Sequence, residues 1–185
     1  LKFKSAPDFE TKADAGANNV YNVTVQVSDG NGGTVTQNLA ITVTEINDNN
    51  PVFTSSAAIS ATENSSAVLT VAAADADLPT QSLTFSLAGG ADQALFDLTS
   101  GGVLTFKTAP DFEIPPDAGG NNVFNVEVTA SDNQGGTTTQ AIAISVSPVN
   151  DNNPVITSTA VVNVDEGTAS VLTVTASDAD MPAQS

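Results

Sequence analysis

The chain has 185 residues, 40% apolar but only 5% aromatic and with no Trp, so a packed core must come from Val, Ile, Leu, Ala and a few Phe. Twenty-one acidic residues stand against four Lys, with no Arg and no His, for a formal charge of -17, which argues against nucleic acid as a partner. Zero Cys excludes disulfides and thiolate chemistry, and no apolar run approaches the roughly 20 residues of a membrane span.

In chain order, the first strand signal is Tyr21, Val23, Val25 and Val27, alternating with other residues at the period of a pleated strand. The run Asp-Gly-Asn-Gly-Gly at 29 to 33 supplies residues that tolerate positive φ, as a hairpin turn requires. Further strands are expected near 53–60, 67–74, 82–88, 94–98, 103–107, 122–131 and 136–146, separated by Gly, Asn, Asp and Ser clusters. In 122–131, Phe124, Val126, Val128 and Ala130 alternate with Val123, Asn125, Glu127 and Thr129, which sends the first set inward. No stretch has helical periodicity, and seven short strands at even spacing predict an all-β, seven-stranded Greek-key (Ig-like) sandwich. The Gly-rich turns precede β-branched segments rather than helices, which makes them hairpin turns and not phosphate cradles.

Residues 1–82 align without a gap to residues 104–185, with 48 identities and a constant shift of 103. Pro7-Asp8-Phe9-Glu10 recurs as Pro110-Asp111-Phe112-Glu113, and Asn47-Asp48-Asn49-Asn50-Pro51 recurs as Asn150-Asp151-Asn152-Asn153-Pro154. The repeat predicts three segments: 1–51 as the C-terminal part of one repeat, 52–154 as a complete repeat, and 155–185 as the N-terminal part of the next. The partial repeats lack strands equivalent to 83–103 and are expected to expose sandwich core, as in an excerpt of a longer tandem array.

Most acidic residues fall in short clusters that share the 103-residue period, and on a sandwich these clusters lie at the ends where consecutive repeats meet. Asp, Glu and Asn offer oxygen, and Ca²⁺ takes about 6 to 8 oxygen ligands. Without His or Cys, a zinc, copper or iron-sulfur site has no nitrogen or sulfur donors. Mg²⁺ prefers few protein ligands and retained waters, which suits a dense cluster less well.

These motifs resemble cadherin repeats, in their long bacterial tandem form, over the whole chain. The resemblance implies Ca²⁺ bound between adjacent repeats by a linker of the Asp-x-Asn-Asp-Asn-x-Pro type with flanking acidic motifs. At the first junction it selects Asp8, Glu10, Glu45, Asn47, Asp48, the Asn49 carbonyl, Asp75, Asp77 and Asp132. At the second it selects Glu63, Asp111, Glu113, Asn150, Asp151, the Asn152 carbonyl, Asp178 and Asp180. Glu45 stands at the first linker position, where the second junction has Pro148, which offers no side-chain ligand and weakens the expectation for that joint. Asp29 and Glu166 fit junctions before and after the chain.

Taken singly, each Asp or Asn is as well explained by turn formation, and Asp14 and Asp117 recur within an Asp-Ala-Gly loop without matching any ligand of the family. Paired carboxylates of a glycosidase would need a cleft and aromatic sugar platforms, which one Tyr and no Trp do not supply, and a Ser-His-Asp triad is impossible without His. The expectation is a non-enzymatic, extracellular or cell-surface, calcium-binding repeat of a bacterial adhesin or fibre, whose partners are neighbouring repeats of the same polypeptide. A carbohydrate-binding module that takes surface polysaccharide, and a fibre subunit that assembles by homotypic protein contacts, are the alternatives. No membrane insertion within the segment is expected.

Overall fold

The computed structural model describes residues 1–180. Thirteen strands occur among them in chain order: β1 (Val20–Ser28), β2 (Thr34–Thr42), β3 (Val52–Phe53), β4 (Ala58–Thr62), β5 (Ala67–Thr70), β6 (Ala73–Ala74), β7 (Thr84–Gly89), β8 (Phe96–Leu98), β9 (Val103–Phe106), β10 (Val123–Ser131), β11 (Thr137–Ser147), β12 (Val155–Ile156) and β13 (Ala176–Ser177). One turn of 3-10 helix, Gln93–Leu95, precedes β8. The residues divide into two compact units. The first joins Leu1–Val52 with Ala73–Thr84 and Ala130–Thr138, and the second joins Phe53–Ala72 with Phe85–Thr129 and the chain from Thr139.

The second unit holds the sandwich. A four-stranded sheet in the order β4-β11-β10-β7 and a three-stranded sheet in the order β5-β9-β8 make up its seven strands. Phe124, Val126 and Val128 of β10 are 1% exposed or less, as the alternation predicts, and Ile142, Ile144 and Val146 of β11 form the matching buried row. Leu104 and Phe106 of β9 and Phe96 of β8 join the same core from the other sheet. The rings of Phe96, Phe106 and Phe124 pack with centroids 4.7 to 6.1 Å apart, two of the three contacts edge-to-face, the arrangement aromatic quadrupoles favour.

Two expected strands are each split. Within 53–60, Thr54 and Ser55 donate to the carbonyl of Ala72, whereas β4 leaves that partner and runs parallel to β11, with Ile59 opposite Ile144 and Ala61 opposite Val146. The Ser56 hydroxyl bonds the backbone of Ala58 at the crossing, which satisfies polar groups that neither ladder reaches. Within 67–74, β5 pairs with β9 and carries a bulge between Ala67 and Leu69. Such a switch is decided by which ladder each half can join, and a run of apolar and Ser residues does not encode it. Gly102 has φ 93°, and a Cβ there would collide with the Val71 carbonyl, whose residue donates to Gly102 O at 2.8 Å.

In the first unit β1 and β2 form an antiparallel hairpin in unbroken register from Val20 opposite Thr42 to Ser28 opposite Thr34. Tyr21, equivalent by the repeat to the fully buried Phe124, is only half-buried and packs edge-on against Phe3. Val27 and Val35 are 62% and 66% exposed, and so are many apolar side chains between Val155 and Val174. The last five residues of the segment 155–185 lie outside the described residues.

Truncating Phe124 to Ala removes the ring that touches both other core aromatics and is expected to cost about 3 to 5 kcal/mol. Urea unfolding checks it, through a lower midpoint at unchanged slope.

Candidate metal centre

Each upstream acidic motif is built twice in the same way. The Asp8 carboxylate accepts the N–H groups of Glu10 and Thr11 at 2.9 and 3.0 Å, and the Asp111 carboxylate those of Glu113 and Ile114 at 3.0 and 3.1 Å. Both carboxylates thereby close the turn that presents the following Glu. The loop acids Asp14 and Asp117 prove structural: Asp14 accepts the N–H groups of Gly16, Asn18 and Asn19, and Asp117 those of Asn121 and Asn122. This holds Asn19 and Asn122 at φ 60°, from which their Nδ2 donates at 2.9 Å to the carbonyls of Phe9 and Phe112, immediately before Glu10 and Glu113.

The linkers repeat equally. Asn49 donates from its backbone N–H and from Nδ2 to Asp77, at 2.7 Å for the side chain. Asn152 does the same to Asp180, at 3.1 and 2.9 Å. Asp75 accepts the Asp77 N–H at 3.0 Å, and Asp178 accepts that of Asp180 at 3.1 Å. Asp77 and Asp180 are each 1% exposed, so the backbone amides of the linkers close over them.

These pins gather carboxylates. In the first unit Glu10, Asp48 and Asp77 bring one oxygen each within 4.8 Å of one another, and so do Asp75, Asp77 and Asp132. In the second unit Glu63, Glu113 and Asp151 do so. At that separation two unit charges repel by about 3 to 4 kcal/mol at an effective dielectric constant of about 20, a repulsion that a shared cation would relieve. Oxygens with spare capacity are present: Glu10 Oε1, Asp75 Oδ2 and Asp180 Oδ2 are buried without a hydrogen-bond partner. The three atoms nearest a Cβ built on Gly136 are oxygens, those of Asp132, of the Asn49 carbonyl and of the Asn50 side chain, so a side chain there would press on the carboxylate that accepts the Gly136 N–H. The donor set is wholly oxygen, which fits a hard divalent cation.

The remaining expected residues lie outside the three triads. Glu45 and Asn150 are exposed, and Asn47 turns its Nδ2 to Asp132 at 2.9 Å instead of offering an oxygen there. Buried Glu63 accepts the N–H groups of Val149 and Phe112 at 2.5 and 2.7 Å, tying the linker after Pro148 to the upstream motif. Sequence reading passed over Asn64, whose Nδ2 holds Asp151 at 2.5 Å, and over Asn50 and Gln81. Lys107 donates to the Ala94 carbonyl at 2.7 Å.

Hydrogen bonding holds several of these carboxyls below the usual carboxylate range. For Asp132 the main cause is the Gln134 N–H, with the Asn47 amide and the Gly136 N–H adding to it against burial. For Asp180 it is the Asn152 side-chain amide, and for Asp8 the Thr11 N–H. These groups are therefore anionic, as ligands must be, well into the acid range.

Residues 47–145, more than half of the chain, match the family described as bacterial Ig domain. The chain belongs to the bacterial Ig domain family. The same bacterial Ig domain chain is 35% identical over 127 residues to the cadherin EGF LAG seven-pass G-type receptor fmi-1 of Caenorhabditis elegans, a match over 64% of this chain and 5% of that protein. Its fold is similar to protocadherin gammaB7 EC3-6 in its cis-dimer structure, at TM-score 0.69 and 22% identity over 94% of this chain and 45% of that one. It is also similar to the protocadherin GammaB4 extracellular domain, at 0.65 and 22% over 95% and 30%, and to human CDH23 EC21-23, at 0.62 and 26% over 88% and 55%. The chain thus spans about a third to a half of those structures and a small part of the receptor. It is a cadherin-like, Ig-like repeat of the adhesion type.

Because the Asp132 pKa lies below its ordinary value of 3.8, the stability it contributes is complete above about pH 5 and is lost as the pH falls through the folded pKa. Melting the chelated protein between pH 6 and pH 2 should show that loss, and Asp132→Asn should flatten the acid limb of the curve.

Proposed function

We propose that this chain is a calcium-stiffened segment of an extracellular bacterial adhesin or fibre, with Ca²⁺ held where consecutive repeats meet and 52–154 as the complete repeat. The observation that carries the proposal is that the hydrogen-bonded scaffold recurs at 103 residues together with its acids. Shifting by that period overlays Glu10 and Asp48 on Glu113 and Asp151, so the triads of the two units read as overlapping parts of one recurring site. One triad extends the shared pair with Glu63, and the other with Asp77, which also belongs to the triad of Asp75 and Asp132. Glu10, Asp48, Asp75, Asp77 and Asp132 would hold ions at one linker, and Glu63, Glu113, Asp151, Asp178 and Asp180 at the other, with the linker carbonyls completing the shell.

The action is mechanical rather than catalytic. Bound Ca²⁺ supplies the positive charge that lets the carboxylates share a site. Asn49 and Asn152 already hold the linkers against Asp77 and Asp180. Locking acids from either side of a linker to one ion fixes the orientation of neighbouring repeats and stiffens the array. A surface setting is supported by the extracellular cadherin domains that share the fold.

Thermal melting with Ca²⁺ and with chelator tests this reading. At a free concentration a hundredfold above Kd, one site adds about 2.7 kcal/mol, and the gain scales with the number of ions. Asp77→Asn should abolish most of that gain, since its carboxylate belongs to two triads. A melting temperature and a small-angle scattering profile both indifferent to chelation would falsify the calcium reading.

A further inference from the structure

The segment after Pro154 is a half-made repeat. The N–H groups of Thr157 and Ser158 donate to the Thr175 carbonyl at 2.8 and 3.3 Å, as those of Thr54 and Ser55 do to the Ala72 carbonyl at 2.9 and 3.2 Å, so its first hairpin is built like the complete one. Gly167, in the left-handed region at φ 81°, matches Asn64 at φ 61° in the turn that follows β4. Between hairpin and turn the likeness stops. Residues 161–165, equivalent to β4, form no strand, and Val162 and Val164 are 37% and 50% exposed where Ile59 and Ala61 join the core. What β4 has and 161–165 lacks is a ladder to join, the parallel one with Ala143–Ser147 of β11.

An open ladder of that kind is present. β2 is the equivalent of β11, and among the described residues it pairs with β1 alone. The sequence over 40–44, Ala-Ile-Thr-Val-Thr, differs from that over 143–147, Ala-Ile-Ser-Val-Ser, only by Thr for Ser. Leu1, Phe3, Tyr21, Val23 and Ile41 line an apolar hollow at this hairpin. Their equivalents Leu104, Phe106, Phe124, Val126 and Ile144 are all at most 3% exposed in the complete core. An unpaired strand edge beside uncovered core is a template for strand addition.

We infer that residues 161–165 of one copy of this chain add in parallel to 40–44, at the open edge of β2, in a second copy, with Val162 opposite Ile41 and Val164 opposite Val43. The register is the one the chain already makes internally, Ile59 opposite Ile144 and Ala61 opposite Val146, shifted by 103 residues. Donor and acceptor surfaces differ, so the contact is head-to-tail and each added copy offers a fresh acceptor. The same shift carries Glu166, the equivalent of Glu63, to Glu10 and Asp48, the pair that overlays on Glu113 and Asp151. Ca²⁺ should therefore strengthen the pairing if the calcium reading holds, but the strand addition does not require it. Neither partner supplies an equivalent of β7 or β8, so the composite sandwich is incomplete and its association depends on concentration.

Sedimentation velocity of the 185-residue chain, from micromolar to millimolar concentration, in chelator and in CaCl₂, tests it. The variant carries Val162→Asp with Val164→Asp; both side chains are exposed, so its circular dichroism should match that of the unsubstituted chain. The expected result is a mass that rises with concentration, and an association at least about tenfold weaker in the variant, where pairing would bury two charges without partners. Cross-linking reads the register, since the chain has no Cys of its own. Asn163→Cys on one copy should form a disulfide with Thr42→Cys on another, and not with Thr36→Cys further back on the same strand. A chain that stays monomeric in both conditions, an association that the variant leaves unchanged, or cross-linking that does not distinguish Thr42 from Thr36 overturns the inference. Should the variant misfold, the cross-link decides. Association indifferent to Ca²⁺ overturns the calcium reading and supports the strand addition, a result distinct from the others.

Discussion

Repulsion among carboxylates held within 4.8 Å of one another is the constraint around which the acidic ends of this chain are built. Nothing in the sandwich core demands that Asp75, Asp77 and Asp132 meet. They meet because backbone N–H groups pull each into place: Asp77 by Asn49, Asp75 by Asp77 itself, and Asp132 by Gln134 and Gly136. The bonds to Asp132, that from Gln134 first, hold its carboxyl below the usual carboxylate range beside Asp75 and Asp77. The scaffold holds the three acids close together.

The sandwich and the acidic ends draw on different residues. The core depends on period-two alternation in β10 and β11 and on three Phe rings. The ends depend on Asp, Asn and Gly in turns, where positive φ at Asn19, Asn64 and Asn122 and the bare Cα of Gly136 are needed. Substitutions in the core should therefore act on sandwich packing, and substitutions at the ends on the carboxylate scaffold, with limited cross-talk between distant positions.

Most of the architecture could be read from the residues. The alternation in 122–131 placed Phe124, Val126 and Val128 inward, and the 103-residue shift marked which acids belong together. The split of 53–60 and of 67–74 could not be read, because both halves of each stretch have similar apolar content and only the available ladder separates them. At the site, carboxylates stood out through their repetition, whereas Asn64 and Gln81 did not, since neutral amides in loops carry no pattern of their own. Asn47 shows the converse: a motif position fixes identity, but which face of an amide meets its neighbour follows from surrounding donors and acceptors.

The bond from Asn122 to the Phe112 carbonyl, and its twin from Asn19 to that of Phe9, has an evolutionary reading. Each loop is fixed at its entrance by Asp111 or Asp8 and at its exit by Asp117 or Asp14, so of the three residues between Glu and the exit Asp only the first serves the pin, through a backbone N–H that any residue but Pro supplies. They are Thr11-Lys12-Ala13 in one copy and Ile114-Pro115-Pro116 in the other, without a single identity, although the residues on both sides match. Such a stretch is where duplicated repeats can drift apart in charge and stiffness, and so acquire distinct surfaces, while the pinned turns on either side stay the same.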